Sequence, residues 1–237
     1  MRDVLVASVN YGLLALVDIS FHTLQPIFLS TPIALGGLGL DPPAIGIVMS
    51  SYGVLGGIFS MFFFSRMADH FGVKNVYLIG ITAAVPSFFL FPVTSYLAKS
   101  SIERSGGLGM AVWVVVGLQV SASVLVSICY STSVLKKSSC LHVSFRRPPA
   151  SGAVFIFIAA AAPNKVSLGA TNGISQLSVS VVRAVGPVLA SSMYSLSIDR
   201  DHHYMNGGLV YYVTVAMSLG AIWVGSLLPK HPFKDVK

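Results

Sequence analysis

Asn172, Gln176, Ser180, Arg183 and Pro187 follow one another at steps of four, four, three and four, a spacing that places them on one face of an α-helix. Asp18, His22 and Gln25 step by four and three and share a face in the same way. Both sets interrupt otherwise apolar runs, and the stripe that carries Arg183 is expected to face a cavity or a partner. A carboxyl group in such surroundings favours its neutral form unless a cation lies close, which is the behaviour a proton carrier needs. An arginine near mid-bilayer costs about 2.5–3.5 kcal/mol on insertion scales and is expected to face water, a carboxylate or backbone carbonyls. Asp18 is therefore a coupling or gating residue, a substrate contact, or one half of a structural pair with Arg183, which would keep it ionised. His22 is either a proton relay or a hydrogen bonder between helices. Gly186 and Pro187 free a backbone carbonyl and are expected to kink their helix. Gly169 and Gly173, four apart, would allow close helix approach.

The elements that position these residues follow from composition. Of 237 residues, 54% are hydrophobic and only 10% charged, with a mean hydropathy of +0.78, whereas soluble domains carry roughly 25% charged residues. Such a balance cannot cover a water-facing surface, and it predicts an all-α, polytopic membrane protein. Apolar runs near the roughly 20 residues a bilayer requires place spans at 4–29, 44–64, 76–97, 111–131, 168–197 and 208–228. The basic start and apolar run at the N-terminus exceed signal-peptide length and are read as the first span. The loops are short and punctuated by Gly and Pro.

Lys and Arg set the orientation. Alternate loops and both termini hold Arg2, Arg66, Lys74, Lys136, Lys137, Arg146, Arg147, Lys165, Lys230, Lys234 and Lys237, against Lys99, Arg104 and Arg200 opposite. The first group is expected to face the cytoplasm, with both termini inside. The net charge of +7 is accounted for by these loops, so no nucleic-acid partner is expected. Residues 131–151, "STSVLKKSSCLHVSFRRPPAS", form a basic, proline-containing insert unlike its surroundings. It is read either as translated intron or as a natural cytoplasmic loop. Cys129 and Cys140 lack metal-ligand spacing, and "DRDHH" at 199–203 reads as a solvated loop, so neither a metal nor a cofactor is expected. "GGLGL" at 36–40 lacks the lysine and strand–helix context of a phosphate loop. No nucleophile–base or hydrolytic motif is present, which excludes an enzyme at this level.

Two stretches carry a family resemblance. "SRMADHFGVK", 65–74, resembles the signature loop G-x-x-x-D-R-x-G-R-R of the major facilitator superfamily at Asp69, Gly72 and Lys74, with Arg66 as a further basic residue. Ser65, His70 and Val73 depart from the pattern. "APNK", "LGATNG", Arg183 and "GP" follow in order over 162–187 and are similar to the penultimate span of fungal and plant-type members related to drug:proton antiporters and zinc-induced facilitators. "ALVDISFHTLQPIFLSTPIALGGLGL" and "SSYGVLGGIFSMFFFSRMADHFG" resemble the seventh and eighth spans of that group.

The resemblance implies the C-terminal six-helix half of such a transporter, one domain over 1–237 built as two three-helix inverted repeats. It implies proton-coupled transport of a small molecule, expected as efflux, by antiport or by symport, in a plasma or vacuolar membrane. Asp18, His22, Gln25, Asn172, Gln176 and Arg183 would line the path; Arg66, Asp69, Gly72 and Lys74 would form a gating loop; Gly186 and Pro187 would form a kink. Partners would be membrane lipid, substrate, protons and a second six-helix half or a second copy. The alternative is a non-transporting membrane fragment or interaction subunit from a gene that is truncated or whose boundaries are wrongly drawn.

Overall fold

In the computed structural model, described over residues 2–71, 73–127, 158, 161, 167–198 and 208–228, the chain is a helical bundle. The helices are α1 (Arg2–Ser30), α2 (Pro42–Phe71), α3 (Val73–Thr82), α4 (Ala84–Ser105), α5 (Met110–Ser127), α6 (Leu168–Ile198) and α7 (Leu209–Ser226). With α3 and α4 crossing together as Lys74–Arg104, six segments among the described residues are long and apolar enough to span a membrane. The insert at 131–151, Gly72, the 199–203 loop and the last basic residues lie outside the described residues.

α1 has 29 residues, roughly 43 Å of helix. It stops at Thr31–Pro32, because Pro32 lacks the N–H needed to extend it and disfavours helical geometry in the residue before. Its last carbonyls are then satisfied by the chain that folds back. Leu38 N donates to Phe28 O at 3.2 Å, Gly39 N to Thr31 O at 2.8 Å and Leu40 N to Leu29 O at 2.9 Å, around a 3-10 turn at Ile33–Leu35. Gly37 is required there, since a Cβ would stand 2.2 Å from Thr31 O and 2.6 Å from Phe28 O. The "GGLGL" stretch is thus a cap on α1.

The third crossing is interrupted at Ala83. Pro86 has no N–H for the carbonyl of Thr82 and its ring crowds that carbonyl, which separates α3 from α4. Two predicted loops are mostly helix. α2 runs on to Phe71 through the signature stretch, and α4 continues past Lys99 and Arg104 to Ser105, because helical hydrogen bonding does not stop where hydrocarbon ends.

α1 is the hub of the bundle. It packs most extensively on α6, then on α7, while α4 packs on α5 and α7. Phe21, Phe28, Phe88 and Phe91 fill the contact of α1 with α4, and Phe91 stacks on Tyr211 of α7 at 5.3 Å and 16°. The α1–α6 seam is made of small residues, Thr171, Ser175, Val179, Gly186 and Ala190 on the α6 side, as expected where packing and polar contacts replace the hydrophobic effect. Ser8 and Ser175 hydrogen-bond across it at 2.9 Å, buried, and Tyr194 donates to Thr31 Oγ1 at 3.1 Å. Tyr77 donates to Asn10 Oδ1 and ties α3 to α1. α2 is held most lightly: 11% of its apolar window is buried, against 50% for α1.

Candidate functional site

The polar residues of α1 lie on two sides of that helix. Asp18 and His22 turn toward α2 and α5, with His22 Nε2 3.6 Å from Asp18 Oδ1. The same Nε2 is 3.3 Å from Tyr52 Oη on α2, and Tyr52 Oη is 2.9 Å from Ser127 Oγ on α5. The His22 and Tyr52 rings meet edge-on at 5.1 Å. Asp18 and Tyr52 also line a cavity of about 10 Å³ with Ser87 and Ser123, at the lower limit of room for one water molecule. Asp18 keeps 23% and His22 34% of its side chain accessible, so the pair is reachable from the open side of the bundle. Gln25 faces inward instead. It is 2% exposed, and its Oε1 has no hydrogen-bond partner among the described residues.

On α6 the predicted stripe is rotated off the seam. Asn172, Ser180 and Arg183 are exposed and Gln176 is half-buried, while Thr171, Ser175 and Gly186 form the buried edge. Arg183 does not close an ion pair with Asp18 among the described residues; it acts on that carboxylate only at coulombic range. The Asp18 contact is His22 in place of the arginine, and the guanidinium stands at the midpoint of a 31-residue helix on a face its own bundle leaves open. Gly169 and Gly173 meet nothing within 4 Å, whereas a Cβ on Gly186 would stand 2.5 Å from Ile19 Cγ2. Close approach therefore occurs at Gly186 and not at the predicted pair. α6 runs as one helix through Pro187, and Ser191 Oγ donates to Pro187 O at 2.8 Å.

The stretch that resembles the signature loop is the end of α2 and the start of α3. The side chains of Arg66 and Asp69 and the whole of Gly72 fall outside the described residues. Lys74 is placed: its Nζ donates to Ser226 O at 2.7 Å and also to Leu228 O. A cation thus sits on the last carbonyl of α7 and on one just beyond it, where the helix dipole favours it. Lys74→Met is expected to lower bundle stability by about 1–2 kcal/mol, read as an earlier thermal unfolding midpoint in detergent, with Lys74→Arg retaining most of it.

At the opposite end, a cavity of about 250 Å³ opens between the 3-10 turn, α4, α6 and α7, with Tyr96, Lys99, Tyr194 and Tyr211 in its wall. Tyr52 and Ser127 were not legible as site residues. A tyrosine and a serine in apolar helices read as packing, and only the register of α2 against α1 and α5 brings them to His22.

No family model and no solved structure matches the chain. One curated relative is a major facilitator superfamily multidrug transporter, mfsB, from Aspergillus fumigatus, 26% identical over 239 residues. The match covers 97% of this chain and 35% of the relative, so the chain spans about a third of the length of the protein it matches. Six membrane-length helices and no strand among the described residues, together with this similarity along nearly the whole chain, are consistent with one six-helix half of a major facilitator fold.

Proposed function

We propose that this six-helix unit forms half of a secondary active transporter that exports small molecules in exchange for protons, working with a second six-helix unit on the same longer polypeptide, on another chain or in a second copy. The observation that carries this is the pairing of a partly accessible carboxyl–imidazole site, Asp18 and His22, with an exposed polar stripe, Asn172, Gln176 and Arg183, on the neighbouring helix. A proton-binding group on one helix and polar side chains exposed on the neighbouring helix would supply part of a substrate cavity. A facing unit would supply the rest. The name of the relative, a multidrug transporter, is in keeping with a cavity of scattered polar groups. The C-terminal half of the fold is the better assignment, on the resemblance of the first and fifth spans.

The test is flux in proteoliposomes. The 237-residue chain alone should move no substrate against a proton gradient, and the same chain joined to or co-reconstituted with a complementary six-helix unit should do so. Robust gradient-driven accumulation by the chain alone would refute the need for a facing unit. Absence of proton dependence in an active assembly would refute exchange with protons.

A further inference from the structure

One nitrogen faces two partners. His22 Nε2 lies 3.6 Å from Asp18 Oδ1 and 3.3 Å from Tyr52 Oη, and Tyr52 Oη lies 2.9 Å from Ser127 Oγ, which in turn donates to Ser123 O at 3.4 Å. A neutral imidazole nitrogen is either a donor or an acceptor, never both. Two consistent orders of hydrogen bonds follow. With Asp18 ionised, Nε2–H points at the carboxylate, Tyr52 O–H donates to Ser127 and Ser127 O–H donates to Ser123 O. With Asp18 neutral, the imidazole proton is on Nδ1, Nε2 accepts from Tyr52 O–H, and Tyr52 Oη accepts from Ser127 O–H.

We propose that Tyr52 is the positioning residue of the coupling pair, whose phenol reverses its hydrogen-bond direction when Asp18 takes up a proton and carries that change from α1 into α2 and α5. The interconversion balances: one proton arrives at Nδ1 of the accessible His22 ring, the Nε2 proton passes to Asp18 Oδ1, and the imidazole remains neutral. The 3.6 Å separation is beyond a hydrogen bond, so transfer needs a small rotation of the His22 ring toward the carboxylate. α2 is suited to register the reversal because it is the least buried crossing, and Tyr52 ties it to two neighbours at once. The charged or titratable groups acting on Asp18 are His22 on its own helix and Arg183 on α6, and Asp18 acts in turn on Tyr52 of α2; the α4 and α5 groups at the cavity are the serine hydroxyls of Ser87 and Ser123. This inference rests on the transport function proposed above.

The experiment uses the full chain, labelled with ¹⁵N-histidine, in lipid nanodiscs at neutral pH, with the His22 resonance assigned by its loss in His22→Gln. In the unsubstituted chain Nε2 should resonate in the N–H range. Asp18→Asn, which imitates the neutral carboxyl, should shift it to the lone-pair range, and adding Tyr52→Phe to Asp18→Asn should return it toward the N–H range. An unchanged Asp18→Asn spectrum, or a double variant identical to Asp18→Asn, overturns the proposal. Should Tyr52→Phe fail to fold, Ser127→Ala in the Asp18→Asn background removes the far donor and should give a partial return; no return overturns the proposal. The readout needs neither substrate nor a facing unit. A responsive tautomer in a chain whose assembly shows no coupled flux would sink the transport function and leave the relay standing; coupled flux with an indifferent tautomer would sink the relay alone.

Discussion

Asp18→Asn is expected to abolish gradient-driven accumulation in the complete assembly, by about 100-fold or more, the scale on which a single positioned proton-transfer group acts. Of the eight acidic residues in the sequence, Asp18 alone lies in the interior of an apolar run. Asparagine nearly preserves its volume, so the fold and the α1–α2 contact should survive. What is lost is the exchangeable proton. Substrate exchange across the membrane with no gradient needs no net proton movement and should persist, whereas accumulation driven by a pH difference should vanish. Asp18→Glu should restore part of it, limited by the extra methylene beside the small cavity at Tyr52 and Ser87. Measuring both modes in one proteoliposome preparation decides the matter, and accumulation that survives Asp18→Asn would remove this carboxyl group from the coupling path.

The largest effect on stability is expected at Gly186. A Cβ there would stand 2.5 Å from Ile19 Cγ2 and 3.7 Å from Leu16 Cδ1. The Ile19 methyl cannot swing away cheaply, because a β-branched side chain in a helix has one strongly preferred χ1. The two helices must separate instead, and they share the most extensive contact in the bundle. Gly186→Ala should cost about 1–3 kcal/mol, the usual scale of overpacking, and Gly186→Val more. Ile19→Ala combined with Gly186→Ala should recover much of the loss, since the two side chains compete for one space. Gly173→Ala is the control. With nothing within 4 Å of its position, it should be neutral or stabilising by up to about 1 kcal/mol through helix propensity. Thermal unfolding of the four variants in the same detergent reads the difference, and equal losses at positions 173 and 186 would show the seam to be placed wrongly.

The existence of six crossings was legible because hydrocarbon thickness imposes a length on apolar runs, and length survives in a linear sequence. Which side of each helix turns inward was much less legible. In a membrane helix the lipid face and the core face are both apolar, so hydropathy does not separate them. Hence Gly169 and Gly173 read as a packing pair, whereas the close contact with α1 is made by Gly186. The stripe beginning at Asn172 lies one residue, about 100° of helix, from the seam residues Thr171, Ser175 and Val179. That rotation is enough to leave Arg183 outside and Asp18 with His22. The same spacing that grouped Gln25 with Asp18 and His22 could not tell that it turns into the core. Tyr52 and Ser127 carried no signal at all, since their role depends on three helices meeting.

Arg183 stands halfway along a 31-residue helix and looks away from its own bundle. Left solitary among lipids, such a guanidinium draws water and headgroups down to its depth, at a cost of about 2.5–3.5 kcal/mol on insertion scales. That is a large part of the 5–15 kcal/mol, roughly, that holds a folded domain together. The bilayer around an uncovered copy is therefore dented and strained, and any neighbouring surface offering an acceptor at that depth relieves the strain. For a facing unit of the kind proposed above, relief of that cost would add to whatever attraction the two surfaces have for each other.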